Sequence, residues 1–220
     1  MAVGYEKGVS FGGVHSYRDL RLVLTKSELT PPTPKTYYVD IPGRNGSIDM
    51  TEALGGVAFE DRTLKYTFTM KLEKASDWES VYNNVVSSLH GKNMDIVPDG
   101  SEGFYTGRIT VGGCTGSKMI RQVVVSVRVS PYMMSQNERS VLVQLYETER
   151  TISFENAGKP VVPTIETTND NAKIVFNGTT IIIQKAGKHI IPDIRLAEGV
   201  NTMTVSGSGS LTIKWREGVL

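Results

Sequence analysis

Three histidines, His15, His90 and His189, and one cysteine, Cys114, are the residues best suited to hold a metal or to act as nucleophiles. The histidines are far apart in the chain, and no pair shows the short spacing that sets two imidazoles on one face of a helix or strand. His90 falls in the last turn of a predicted helix, where a cation would favour the helix dipole. Cys114 sits in Gly112-Gly113-Cys114-Thr115-Gly116, a run that superficially suggests a phosphate cradle. It lacks the Lys-Ser/Thr pair of a P-loop and precedes a β run rather than a helix, so a hairpin tip is the expectation. A reactive thiolate would need a basic neighbour that the sequence does not nominate, and a lone cysteine excludes an internal disulfide framework or a cysteine-based zinc cluster.

The remaining candidates for catalysis are weaker. Ser206-Gly207-Ser208-Gly209-Ser210 does not have the Gly-x-Ser-x-Gly order of a nucleophile elbow and reads as a loop between strands. Glu60 with Asp61, and Glu147 with Glu149, could pair for glycoside cleavage if they converged in a cleft, but solvated strand ends explain them as well. Asn45-Gly46-Ser47 and Asn177-Gly178-Thr179 match a glycosylation acceptor, and both read more simply as Asn-Gly turns. Trp215, near the end of a predicted strand, is a candidate sugar-stacking platform, with a place in the core as the alternative. No constellation assembles a reaction, so the chain is expected not to be an enzyme and to need no cofactor or metal.

Composition is that of an ordinary globular protein, expected to fold as a soluble object. The 220 residues are enough for two compact domains, and 39% hydrophobic with 21% charged residues is ordinary globular usage. The longest apolar runs, around Val123 to Val125 and Ile181 to Ile183, fall far short of a membrane span. The start Met-Ala-Val-Gly-Tyr-Glu-Lys has no apolar core behind a basic stretch, so no secretory signal and cytoplasmic synthesis are expected. Lys and Arg number 24 against 23 Asp and Glu, without the concentrated cationic excess that binding a phosphate backbone requires. DNA meeting such a surface should slide past it.

The elements that would position any site are mostly strands. Between Arg62 and Glu73, Leu64, Tyr66, Phe68, Met70 and Leu72 alternate with Thr63, Lys65, Thr67, Thr69 and Lys71, a period of two that buries one face. Further strands are predicted at 19–24, 36–41, 104–111 and 120–129, the last closed by Pro131. One segment is helical: Trp78, Val81, Tyr82, Val85, Val86 and Leu89 recur at helical spacing, behind a Ser76/Glu79 capping box and before Gly91. Residues 25–36 hold three of the nine prolines, Pro31, Pro32 and Pro34, and read as a stiffened, extended excursion able to reach a neighbour. With Arg44 and Gly46 of the following turn, these are the expected oligomer-interface residues. The pattern loosens between Tyr132 and Glu149, which suggests domains at 1–135 and 136–220. After residue 150 only short strands follow, with Asn177-Gly178 as a type I′ hairpin signal, as in a β-sandwich.

The ordered series resembles the distal tail protein (Dit) family of long-tailed phages and prophages. It begins with Ile41-Pro42-Gly43-Arg44-Asn45-Gly46 followed by Asp49 and Thr51. The alternating strand at 62–73, the Trp78 helix, Leu89-His90-Gly91-Lys92 and Tyr105-Thr106-Gly107-Arg108 come next. Asn45 stands where that family more often has Asp, a change that keeps the turn chemistry. Phe154-Glu155-Asn156-Ala157-Gly158 with Pro163, and Glu198-Gly199-Val200-Asn201, are similar to the family's galectin-like or carbohydrate-binding-module-like C-terminal sandwich. The resemblance implies a mainly β fold, an N-terminal sandwich-like domain with one packed helix, and the second sandwich behind it. It also implies a homo-hexameric ring in the virion, at the distal end of the tail. Such a ring would join the tail tube protein to the tail-associated tip protein and the receptor-binding or baseplate machinery, with DNA passing through. The competing reading is a lectin-like binder acting through the C-terminal sandwich.

Overall fold

The computed structural model describes residues 7–53, 55–117 and 119–220. They form two compact units, the first running to Met133 and the second spanning Met134 to Val219. Among the described residues the fold is mainly β with a single α-helix, and no helix is long and apolar enough to cross a membrane.

The first unit contains β1 (Val9–Phe11), β2 (Val14–His15), β3 (Leu22–Leu29), β4 (Tyr38–Val39), β5 (Ile48–Asp49) and β6 (Arg62–Met70). After these come α1 (Trp78–Leu89), β7 (Asn93–Pro98), β8 (Gly103–Val111), β9 (Thr115–Ser117) and β10 (Ile120–Val129). Its sheet runs in the order β2-β1-β7-β8-β10-β6-β3, with β9 added on β10. Alternation decides which face is dry. Leu64, Tyr66 and Phe68 stand opposite Val127, Val125 and Val123, while Ile109 and Val111 stand opposite Val127 and Val125 from the other side. All of these are buried, and they share one core with Val81, Val85 and Leu89 of α1. The helix therefore covers the apolar face of the sheet, as its stripe requires.

Two local details differ from expectation. Ser76 does not cap the helix; it lies in a 3-10 turn, Ala75–Asp77, and its hydroxyl donates to Asp77 Oδ1 at 3.1 Å. Asp77 takes the reciprocal role instead, its Oδ2 accepting the Lys74 N–H at 3.2 Å. The early strand does not stop at residue 24. It continues to Leu29 across a register shift between Leu24 and Lys26, keeping pairs such as Ser27 with Tyr66 and Leu29 with Leu64.

The second unit is a sandwich. Its strands are β11 (Met133–Ser135), β12 (Arg139–Gln144), β13 (Arg150–Asn156), β14 (Thr164–Thr167), β15 (Ala172–Phe176) and β16 (Thr179–Ile183). They continue with β17 (Gly187–Ile190), β18 (Gly199–Ser206), β19 (Ser210–Trp215) and β20 (Gly218–Val219). One sheet has the order β12-β19-β14-β17 and the other β13-β18-β15-β16. Both contribute to a single core, with Ile165, Leu211 and Ile213 from the first and Ile174, Met203 and Val205 from the second. Asn177 and Gly178 adopt φ of 49° and 79° between β15 and β16, the two left-handed residues that a type I′ turn requires. The two ends of this unit are tied together: the Ser135 N–H donates to the Glu217 carbonyl at 2.8 Å.

Candidate functional site

The groups able to do chemistry stay scattered. No group of three or more His, Cys, Asp or Glu that could hold a metal occurs among the described residues. Cys114 is half-buried, and burial pushes its thiol up, with the Arg121 guanidinium only partly opposing the shift. His90 forms the C-cap of α1, and its Nδ1 accepts the Val111 N–H at 3.0 Å, tying the helix end to β8 rather than offering a free cation to the dipole. His189 is linked through Nε2 to the Lys185 carbonyl at 2.9 Å. The acidic pairs do not converge either. Asp61 pairs with Arg128 at 3.0 Å and Glu149 with Lys173 at 2.8 Å. Asn169 Nδ2 donates to Ser208 Oγ at 3.2 Å, which pins the short loop 207–209 between β18 and β19.

His15 is the one buried histidine, and its surroundings are closely made. Nδ1 accepts the backbone N–H groups of Tyr17 and Arg18, each at 3.2 Å, so the ring proton sits on Nε2 and is donated to Asp99 Oδ2 at 3.1 Å. Asp99 Oδ2 also accepts the Gly8 N–H at 2.9 Å. Burial pushes the Asp99 carboxyl up, but the hydrogen bonds from His15 and Gly8 together outweigh it and hold the group below its ordinary value. Gly8 leaves room for the ring: a Cβ there would lie 2.6 Å from His15 Cε1, so the imidazole would have to shift. This cluster staples the first strand to the β7–β8 turn. The imidazole is buried in it, while the Asp99 carboxylate stays partly exposed.

Arg62 is a second enclosed polar group. It is buried at the end of β6, donates from Nη2 to the Tyr105 hydroxyl at 2.6 Å, and stacks over the same ring at 4.8 Å. Burial, with Tyr105 adding to it, pushes Tyr66 up to about 12. The Tyr66 phenol is thus held neutral within the core of the first unit.

The feature without a core is the excursion between β3 and β6. No described residue from Thr25 to Asp61 is buried. Its two legs are joined by a ladder: Glu60 N–H donates to the Thr33 carbonyl, Lys35 N–H to Ala58, and Met50 N–H to Tyr37, each at 2.8 Å, while β4 pairs with β5. Pro34 bridges to Phe59 on the facing leg. Pro31 and Pro32 lie on the outgoing leg, and Arg44 and Gly46 are exposed in the turn between β4 and β5. The expected interface residues thus belong to one arm but occupy two separate places on it. Sequence reasoning missed the apolar side chains that this arm exposes, Tyr37 (64% exposed), Tyr38, Ile41, Met50 and Val57. They have no periodicity to mark them, so only the absence of a surrounding core reveals them.

In the second unit, Trp215 is only 5% exposed and packs on Phe154 with ring centroids 5.3 Å apart. It is a core residue, which removes the sugar-stacking role considered for it: the inward register of β19 places it beside Leu211 and Ile213. Two buried asparagines organise the loops instead. Asn156 Nδ2 reaches the carbonyls of Gly158, Lys159 and Ala197, and Asn201 bonds both the N–H and the C=O of Ala197.

No protein-family model matches the chain, and no curated protein matches it in sequence. In structure it is similar to the Dit protein (gp 19.1) of SPP1, with a TM-score of 0.69 at 12% identity over 97% of this chain and 99% of that one. The fold is Dit-like. The SPP1 protein is described as a paradigm of the hub adsorption apparatus in phages that infect Gram-positive bacteria. At 12% identity, side chains are not carried over from one protein to the other, so the likeness rests on the path of the chain through both units. Within this Dit-like fold, the unburied arm is the surface that most needs an explanation.

Proposed function

We propose that the chain is a structural, non-enzymatic subunit of a phage tail: a hub at the distal end of the tail, assembled as a homo-hexameric ring. The observation that carries this reading is the full-length likeness to SPP1 Dit. In this reading the first unit forms the ring, and the arm with Pro31, Pro32, Pro34, Arg44 and Gly46 lies on the next subunit. A closed ring needs a heterologous interface repeated by rotation, and a ladder-stiffened arm with exposed Tyr37, Tyr38, Ile41 and Met50 is suited to supply one. The tail tube protein would sit on one side and the tip protein with receptor-binding components on the other, while the second unit is a peripheral docking module. The near balance of 24 basic and 23 acidic residues suits a conduit through which DNA passes without adhering.

The test is the mass and shape of the purified protein, by light scattering and negative-stain imaging. A six-fold ring with a central hole is expected, weakened when Pro31 to Pro34 are replaced by a Gly-Ser linker that leaves the monomer folded. A protein that stays monomeric across the concentration range and binds glycans through its second unit would overturn the hub reading in favour of a lectin.

A further inference from the structure

Both Asn-Gly pairs of the chain lie in exposed turns, yet the structure gives them opposite chemical prospects. Asn177 and Gly178 are both held in the left-handed region, at φ 49° and 79°, and are clamped by a five-pair ladder from Phe176/Thr179 to Ala172/Ile183. Asn45 is not in the left-handed region. It lies in an exposed stretch, residues 40–47, outside any strand. The neighbouring bonds are Arg44 N–H to the Ile41 carbonyl at 3.1 Å and Ser47 Oγ to Asp40 Oδ1 at 2.6 Å, and the Asn45 side-chain amide has no hydrogen bond among the described residues. A Cβ at Gly46 would meet nothing within 4 Å, so the space round the Asn45–Gly46 peptide is open.

We propose that Asn45–Gly46 is a site of spontaneous covalent modification, deamidation through a cyclic imide, and that Asn177–Gly178 is protected from it. The nucleophile is the Gly46 backbone nitrogen, which gives its proton to hydroxide or a buffer base and bonds to Asn45 Cγ. The Cγ–Nδ2 bond breaks and the amide leaves as ammonia. Water then opens the five-membered imide at either carbonyl, leaving an aspartyl residue or an isoaspartyl residue with one extra methylene in the main chain. No oxidant, reductant or enzyme is needed.

The contrast between the sites is one of conformational freedom. Ring closure needs the peptide plane between Asn and Gly to turn until the nitrogen faces Cγ. At Asn45 that rotation moves a solvated loop, which the open space at Gly46 allows. At Asn177 it would dismantle a type I′ turn that the right-handed twist of β15 and β16 favours. The product at position 45 carries one more negative charge, beside Asp40, Arg44 and Asp49. In its isoaspartyl form it lengthens the chain in the turn joining the two legs of the arm. The proposal stands independently of the hub reading. If the arm does lie on a neighbouring subunit, assembly should slow the reaction.

The experiment is to hold the dilute full-length protein at mildly alkaline pH and 37 °C and follow it by peptide mass mapping after cleavage at lysine. The fragment 36–65 contains Asn45 as its sole asparagine, and the fragment 174–185 contains Asn177 as its sole asparagine. The 36–65 fragment should gain about 1 Da and split into two products, at a rate exceeding that at Asn177 by at least about ten-fold, or ~1.4 kcal/mol in barrier. Asn45→Gln should abolish the change, because the longer side chain would have to close a less favourable six-membered ring. Equal rates at the two sites, a faster reaction at Asn177, or an unchanged 36–65 fragment would each overturn the proposal.

Discussion

Gly107 offers the sharpest test of how the first unit is held together. It lies in β8 directly opposite Val129 of β10, on the face that carries the core. A Cβ placed there would run into the main-chain carbonyl oxygen of Arg128, and would sit 2.7 Å from Val129 Cγ1 and 2.9 Å from the Arg128 carbonyl carbon. Two of these three atoms are backbone and cannot rotate aside, so Gly107→Ala must push β8 and β10 apart by about 1 Å, a forced insertion of the kind that costs ~1–3 kcal/mol. The bonds of the neighbouring Arg108/Arg128 pair are stretched as well, adding ~0.5–1.5 kcal/mol for each one lost. Against this, alanine restricts the unfolded chain and returns only about 0.4–1 kcal/mol. The net loss is therefore ~2–4 kcal/mol, a large part of a total stability of about 5–15 kcal/mol.

The assay is urea unfolding followed by Trp78 fluorescence in a Trp215→Phe background, which leaves Trp78 as the single tryptophan, in the first unit. With a slope of ~1–3 kcal/mol per molar urea, the midpoint should fall by about 1–2 M. Gly113→Ala is the control, because a Cβ there meets nothing within 4 Å. If the two variants unfold at the same midpoint, the close approach of β8 and β10 is not what fixes glycine at position 107.

The Asp99 carboxyl is held below its ordinary value, so it contributes stability that is full above the unfolded pKa of 3.8 and lost as pH falls through its lower folded value; Asp99→Asn should flatten that part of the acid-unfolding curve of the first unit, measured by circular dichroism. Asn156→Ala leaves the Gly158, Lys159 and Ala197 carbonyls without their shared donor, and should cost the second unit ~1–3 kcal/mol in thermal or urea unfolding. Trp215→Ala should destabilise the same unit by ~3–5 kcal/mol, the range for emptying a buried aromatic site, and acrylamide should quench Trp215 less than the half-buried Trp78.

The sequence announced the elements whose pattern is set locally. Arg62 to Met70 alternates strictly because one face of β6 is dry and the other wet, and the Asn177-Gly178 turn was legible because its residues admit positive φ. The extension of β3 to Leu29 was not legible, since Lys26, Ser27 and Glu28 are exposed on an edge strand whose pairing with β6 is a long-range event across a register shift. Trp215 illustrates a second limit. A tryptophan at a strand end reads the same whether it faces a core or solvent, and the register of β19 decided it. Asp99 carried no signal at all, because its partner His15 lies 84 residues away.

The clasp between Ser135 and Glu217 makes the second unit a cassette. Its chain enters and leaves within one hydrogen bond, and the residues between carry a core of their own. With the ends of the unit fixed so close together, an insertion at a loop tip within it need not move either end. A reporter fused at residue 220 would start beside the point where the cassette begins.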